Sequence, residues 1–101
     1  MLTSKQRAYL RALANRLETI LMVGKGGIDE HIVKQANDAL KARELIKVKV
    51  LETAPHSSRD TAQEIAEQTK SEVVQVIGTK FILYRKNQQN PKIVVPKSKK
   101  N

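Results

Sequence analysis

The chain has no cysteine and no tryptophan, and its aromatic residues are Tyr9, Phe81 and Tyr84 alone. Without thiols there are no disulfides and no thiolate metal sites, which suits a reducing compartment. Tyr9 and Phe81 are expected in the core, so too few rings remain for a multi-base stacking platform. No apolar run approaches the roughly 20 residues of a membrane-spanning helix. The N-terminal stretch enters a charged segment without the apolar centre of a secretion signal. A cytoplasmic protein is therefore expected, and no membrane partner.

Acidic residues are also scarce and unevenly placed. Against 19 Lys+Arg there are 10 Asp+Glu, for a net charge of +9 and a pI near 10.1 over 101 residues. From Met1 to Arg16 and again from Val73 to Asn101 there is no acidic residue. The acids gather in the middle of the chain. Segregation of this kind implies one side that faces a polyanion.

Of the four glycines, three fall together in Val23-Gly24-Lys25-Gly26-Gly27-Ile28-Asp29. The apolar run Thr19-Ile20-Leu21-Met22-Val23 precedes them and an amphipathic segment follows, which reads as strand, glycine loop, helix. Backbone amides at the start of a helix favour anions. Two familiar phosphate loops fail on spacing. The dinucleotide fingerprint needs a small residue where Asp29 stands, and the nucleoside-triphosphate loop needs a Gly-Lys-Ser/Thr ending that is absent. Gly24-x-x-Gly27 remains, the short form that clamps a nucleic-acid backbone.

The rest of the chain supplies a single domain. Thr3-Ser4-Lys5-Gln6 is a capping box that starts a first helix running to about Arg16, with Tyr9, Leu10, Leu13 and Leu17 on one side. A strand over about Glu18 to Val23 leads to the glycine loop. Asp29 caps a second helix, whose stripe Ile32, Val33, Ala36, Ala39 and Leu40 is apolar and which ends near Arg43. Leu45 to Leu51 alternates, with Ile46, Val48 and Val50 on one face and Lys47 and Lys49 on the other. A third helix over about Arg59 to Lys70 starts from Ser57 or Ser58 and carries Asp60, Glu64 and Glu67. This acidic surface is expected to point away from a polyanion. Val73 to Ile77 and Lys80 to Arg85 form a hairpin across Gly78-Thr79. Right-handed crossovers then predict an α/β two-layer sandwich, a four-stranded mixed sheet with three helices in the order α-β-α-β-α-β-β. Residues 1–86 are expected to form the domain and 87–101 a basic tail that frays, with Ile93-Val94-Val95 able to add an edge strand.

Catalytic and metal chemistry find no footing. His31 and His56 lack partners at ligand spacing, Ser57 and Ser58 lack a nucleophile setting, and the carboxylate pairs are accounted for by capping and solvation. No enzyme, cofactor or metal is expected.

Four blocks together resemble one family. They are Leu2-Thr3-Ser4-Lys5-Gln6-Arg7 with Leu10-Arg11-Ala12-Leu13-Ala14, then Val23-Gly24-Lys25-Gly26-Gly27, then Glu44-Leu45-Ile46-Lys47-Val48-Lys49-Val50, and last Val74-Gln75-Val76-Ile77-Gly78 with Leu83-Tyr84-Arg85. In this order they are similar to the CRM domain, named for chloroplast RNA splicing and ribosome maturation, and to its stand-alone bacterial YhbY-like form. The resemblance implies a fold similar to the C-terminal domain of translation initiation factor three, with the last strand antiparallel and inserted beside the second. It implies RNA binding through a GxxG loop similar to that of KH domains, and association with precursors of the large ribosomal subunit. The implied site is Gly24, Lys25, Gly26 and Gly27, with Lys5, Arg7, Arg11 and Lys34 as neighbouring cations. Lys25 adds a charge where many relatives carry another residue. The partners expected are precursor large-subunit ribosomal RNA and the pre-ribosomal particle, bound by a monomer. A second class stays open: a protein-interaction module working through the Lys47/Lys49 face or the acidic third helix.

Overall fold

A computed structural model of the protein describes residues 2–89 together with Pro91 and Ile93. Most of the expected edge strand, Val94 and Val95, and the basic tail after it lie outside the described residues. The elements are α1 (Ser4–Ala14), β1 (Thr19–Val23), α2 (Glu30–Arg43), β2 (Leu45–Val50), α3 (Ser58–Thr69), β3 (Glu72–Ile77) and β4 (Lys80–Tyr84). Their order is the expected one.

Each helix begins where its cap stands. The Gln6 amide donates to Thr3 Oγ1 at 3.1 Å and the Thr3 amide donates to Gln6 Oε1 at 3.0 Å, closing the capping box. Asp29 accepts from the Ile32 amide at 2.9 Å and Ser57 from the Asp60 amide at 3.1 Å. Each cap satisfies a donor that the helix cannot satisfy itself.

The sheet runs β1-β2-β4-β3, with β1 parallel to β2 and β4 antiparallel to both its neighbours. β1, β2 and β3 therefore point the same way. Both crossovers, through α2 and through α3, step across the sheet in one direction. Right-handed connections then put α2 and α3 on the same face.

That face buries the larger core, with Leu21, Val23, Ile46, Val48, Val50, Phe81 and Leu83 from the sheet against Ala36, Leu40, Ala62, Ile65 and Ala66 from the helices. The expectation that all helices share it is corrected by α1. This helix precedes the first strand, so no crossover governs it, and it packs on the opposite face. There Leu10 and Ala14 meet Leu45, Val74, Ile82 and Tyr84. Only part of that face is covered, because α1 packs mainly on β2 and β3 and leaves Ile20 and Met22 of β1 exposed. Tyr9, expected in the core, is 38% exposed, since α1 faces the sheet through Leu10 and Ala14.

Two polar anchors tie the chain ends in. Arg85 donates from Nη1 to Asn37 Oδ1 at 2.6 Å and to the Thr69 carbonyl at 2.7 Å, clamping α2, α3 and the end of β4. Glu44 is fully buried, and its carboxylate accepts from the amides of Asn87 and Ile93, both at 2.7 Å. Asn87 and Ile93 are thus tied to Glu44, and Ile93 packs on the α1 core.

Burial raises the Tyr84 phenol above its ordinary 10.0, with the negative charge of Glu44 adding to the effect. The folded chain holds that proton more tightly than the unfolded chain. Its contribution to stability is whole below the unfolded value, about pH 10, and is lost as pH rises past it. Tyr84→Phe is expected to flatten the alkaline decline of a stability profile measured by urea unfolding. A decline of the same steepness in the variant would contradict this.

Candidate nucleic-acid interface

Because β1, β2 and β3 share a direction, the loops that leave β1 and β2 gather at one end of the sheet with the starts of α2 and α3. The Gly27 amide donates to the Gly24 carbonyl at 2.9 Å, closing a tight turn with Lys25 and Gly26 at its tip. Both tip residues are exposed. Among the described residues, neither tip amide has a hydrogen-bond partner.

The glycines of this turn serve different ends. Gly27 sits at φ +66°, and a Cβ there would lie 3.0 Å from Pro55 Cγ. A side chain at Gly24 would meet Leu51 Cδ1 at 3.2 Å. The fold thus accounts for both, through a close approach of the loop after β2 and, at Gly27, a left-handed backbone. Gly26 is otherwise. Its φ lies outside the left-handed range, and nothing stands within 4 Å of where its Cβ would be. Glycine here leaves the turn's tip bare.

The start of the second helix, where an anion site is expected, carries two acidic residues. Asp29 puts its own carboxylate on the Ile32 amide, and Glu30 follows in the first turn. Two carboxylates therefore sit at the positive end of α2, where the Glu30 and His31 amides, like those of the turn tip, have no hydrogen-bond partner among the described residues. The acidic third helix, expected to point away from a polyanion, comes beside the glycine turn at its start. α3 follows β2 and so begins at the same end of the sheet as the glycine turn. A groove of about 560 Å³ beside the turn is lined by Gly26, Gly27, Ile28, Pro55, His56, Asp60 and Glu64. Pro55, Asp60 and Glu64 were not legible as neighbours of the loop, since only the crossover geometry brings them there.

The expected cations do not all converge. Lys34, in the second turn of α2, lies next to the loop; its Nζ is 3.1 Å from Asp38 Oδ2, in a pair whose side chains are 73% and 66% exposed. Such exposed pairs are weak, and the ammonium stays available to a stronger anion. Arg7 is engaged elsewhere: its Nη1 donates to the carbonyls of Val73 and Val74, fastening α1 to the start of β3. Leu2 lines a hollow with Glu72 and Tyr84, at the end of the sheet away from the glycine turn. Lys5 and Arg7 therefore stand more than one strand length off, a length of roughly 16 Å for five residues, and Arg7 is bound at the opposite edge of the sheet from β1. Arg11 is half-buried in the last turn of α1.

Among the described residues no group of three or more His, Cys, Asp or Glu is placed to hold a metal ion, and no helix is long and apolar enough to cross a membrane.

The chain is similar to known proteins over most of its length. The model of the CRS1 / YhbY (CRM) domain matches residues 2–85. The chain is 42% identical over 96 residues to the "Probable RNA-binding protein YqeI" of Bacillus subtilis, covering 95% of this chain and 100% of that one. It is 34% identical over 96 residues to a protein of Haemophilus influenzae named "RNA-binding protein", covering 95% and 96%. A solution structure from Staphylococcus aureus is similar with a TM-score of 0.79 and 46% identity, over 95% of this chain and 100% of that one.

Proposed function

The chain belongs to the CRS1/YhbY (CRM) domain family, and from that premise we propose that it binds RNA by gripping the sugar-phosphate backbone at the tip of the Gly24–Gly27 turn. The observation that carries this reading is Gly26. The fold does not require a glycine there, yet one stands at an exposed tip beside two unpaired amides and the Lys25 ammonium. A phosphate can approach the main chain without meeting a β-carbon and receive two N–H donors and a cation. Asp29, Glu30, Asp60 and Glu64 repel phosphate from the flanking groove, so the strand lies across the tip.

Lys34 supplies the nearest further cation. Lys5 and Arg11 reach a more distant part of a long RNA, while Arg7 serves by holding α1 in place. Residues 1–86 act as the RNA-binding unit, with the basic tail adding unspecific attraction. The low aromatic content supports recognition by shape and phosphate rather than by base stacking. The bound RNA in this reading is precursor ribosomal RNA of the large subunit, met in the cytoplasm by a monomer; the family resemblance supports that choice.

A phosphate-led grip has a measurable signature. The logarithm of affinity should fall linearly with the logarithm of salt concentration, by about 0.7 per neutralised phosphate for single strands. Fluorescence anisotropy with a labelled RNA at several salt concentrations checks this, and a flat response would contradict it. Crosslinking in cells, followed by sequencing of the attached RNA, tests the partner. Reads concentrated in large-subunit precursor RNA are expected; reads spread in proportion to RNA abundance would overturn that choice.

A further inference from the structure

The part of the sheet that α1 leaves uncovered differs chemically from both the glycine turn and the cores. Strand register places Met22 beside Lys49, Lys49 beside Lys80, and Lys80 beside Ile77. One row therefore crosses all four strands as apolar, basic, basic, apolar. Its ends are open, with Met22 58% and Ile77 59% exposed. Ile20 and Lys47 stand on the same face, and no carboxylate lies in the row. Among the described residues none of the three lysines is in an ion pair. Between the end of α1 and the sheet a hollow of about 100 Å³ is lined by Ala14, Asn15, Lys47, Gln75, Ile77, Lys80 and Ile82. It has room for a single aliphatic side chain, with Lys47 and Lys80 on its rim.

Charge complementarity asks for an acidic occupant. A nucleic-acid strand would satisfy the lysines but would leave Met22, Ile20 and Ile77 against sugar and base edges, with no exposed aromatic ring in the row to stack a base, since Tyr84 on the same face is buried under α1. A peptide segment with carboxylates flanked by aliphatic residues meets both requirements at once. Across four strands spaced about 4.8 Å apart the row is roughly 14 Å wide, the reach of about four extended residues. We propose that this face docks an acidic, amphipathic segment of a protein partner, with its carboxylates over Lys47, Lys49 and Lys80 and one aliphatic side chain in the hollow. The row lies at the end of the sheet from which the glycine turn leaves β1, on the face that α1 leaves open, and its occupant is argued from the row's own chemistry without the RNA reading.

The test uses the full chain and a fluorescein-labelled synthetic peptide that sets two glutamates between leucines, with its glutamine counterpart as the uncharged control. The glutamate peptide should bind and the glutamine peptide should bind more weakly. Lys49→Glu with Lys80→Glu should weaken the glutamate peptide about tenfold, the scale expected when charge pairs across an interface are reversed. Met22→Ser with Ile77→Ser should weaken it at unchanged charge. RNA affinity should stay within about twofold in that second variant, which leaves the electrostatic contribution untouched. Should the reversed pair fail to fold, Lys49→Gln with Lys80→Gln keeps the test, with a smaller loss in the same direction. Three results would overturn the proposal: no binding of the glutamate peptide by the intact chain, equal binding of the two peptides, or displacement of bound peptide by a single-stranded RNA that still competes when the glycine turn carries Lys25→Asp and Gly26→Asp.

Discussion

Replacing Lys25 and Gly26 together by aspartate is expected to lower RNA affinity about a hundredfold, some 2.7 kcal/mol, and to leave the unfolding midpoint unchanged. Both positions are exposed, nothing stands within 4 Å of a Cβ at Gly26, and its backbone does not need glycine. The fold therefore loses nothing it uses. The binding surface loses a cation and gains two carboxylates beside amides whose charge-assisted bonds contribute about 1.5–3 kcal/mol each. Gly27→Ala should behave in the opposite way. At φ +66°, with Pro55 Cγ 3.0 Å from the new methyl, it should destabilise the protein, by about 1–2 kcal/mol for the left-handed backbone alone, while leaving the tip amides in place. Anisotropy titrations and thermal unfolding on both variants separate the two effects. Undiminished affinity in the aspartate pair would remove the glycine turn from the interface.

Glu44→Gln is expected to cost about 3 kcal/mol, because a buried carboxylate that receives two backbone donors is replaced by a group with one acceptor oxygen. The Asn87 and Ile93 amides each reach a different oxygen at 2.7 Å. In the variant one of them faces an NH₂ group instead, a buried donor against a donor. For a domain of this size the midpoint of thermal unfolding should drop by about 12–24 °C, at 4–8 °C per kcal/mol. A drop of only a degree or two would mean that the carboxylate is not what fastens the chain past β4. A control at an exposed acid, Glu67→Gln, should leave the midpoint in place.

These two sites differ in how visible they are in the chain itself. The glycine cluster, the caps at Thr3, Asp29 and Ser57, and the alternation in β2 are local signals, and each appears in the structure where the sequence places it. The similarity to the CRM domain also placed the last strand antiparallel beside the second, where it lies. What was hidden depends on contacts between distant parts of the chain. Nothing near Glu44 announces that amides from residues 87 and 93 will close over its carboxylate. A helical arginine looks the same whether it faces solvent or, like Arg7, is committed to strand carbonyls. The position of α1 escaped for a topological reason: handedness constrains helices between parallel strands and is silent on a helix before the first one. The same gap concealed the nearness of Asp60 and Glu64 to the glycine turn. Composition can register that acids are segregated, but only the direction of β2 says at which end of the sheet α3 starts.

The carboxylates around the turn change the account of how the anion is held. The start of α2 sets the carboxylates of Asp29 and Glu30 beside its amides, whereas the turn tip offers two free amides and a cation on the solvent side. In the proposed reading the grip is a property of one exposed turn, braced from behind by Leu51 and Pro55.

Amide resonances of an isotope-labelled sample, followed by NMR while a single-stranded RNA is added, test this most directly. The account predicts that the Lys25 and Gly26 amides move furthest and that the Gly27 amide, already bonded to the Gly24 carbonyl, moves far less. Shifts centred on α1 or on the Met22–Ile77 row, with residues 24–27 unmoved, would contradict it.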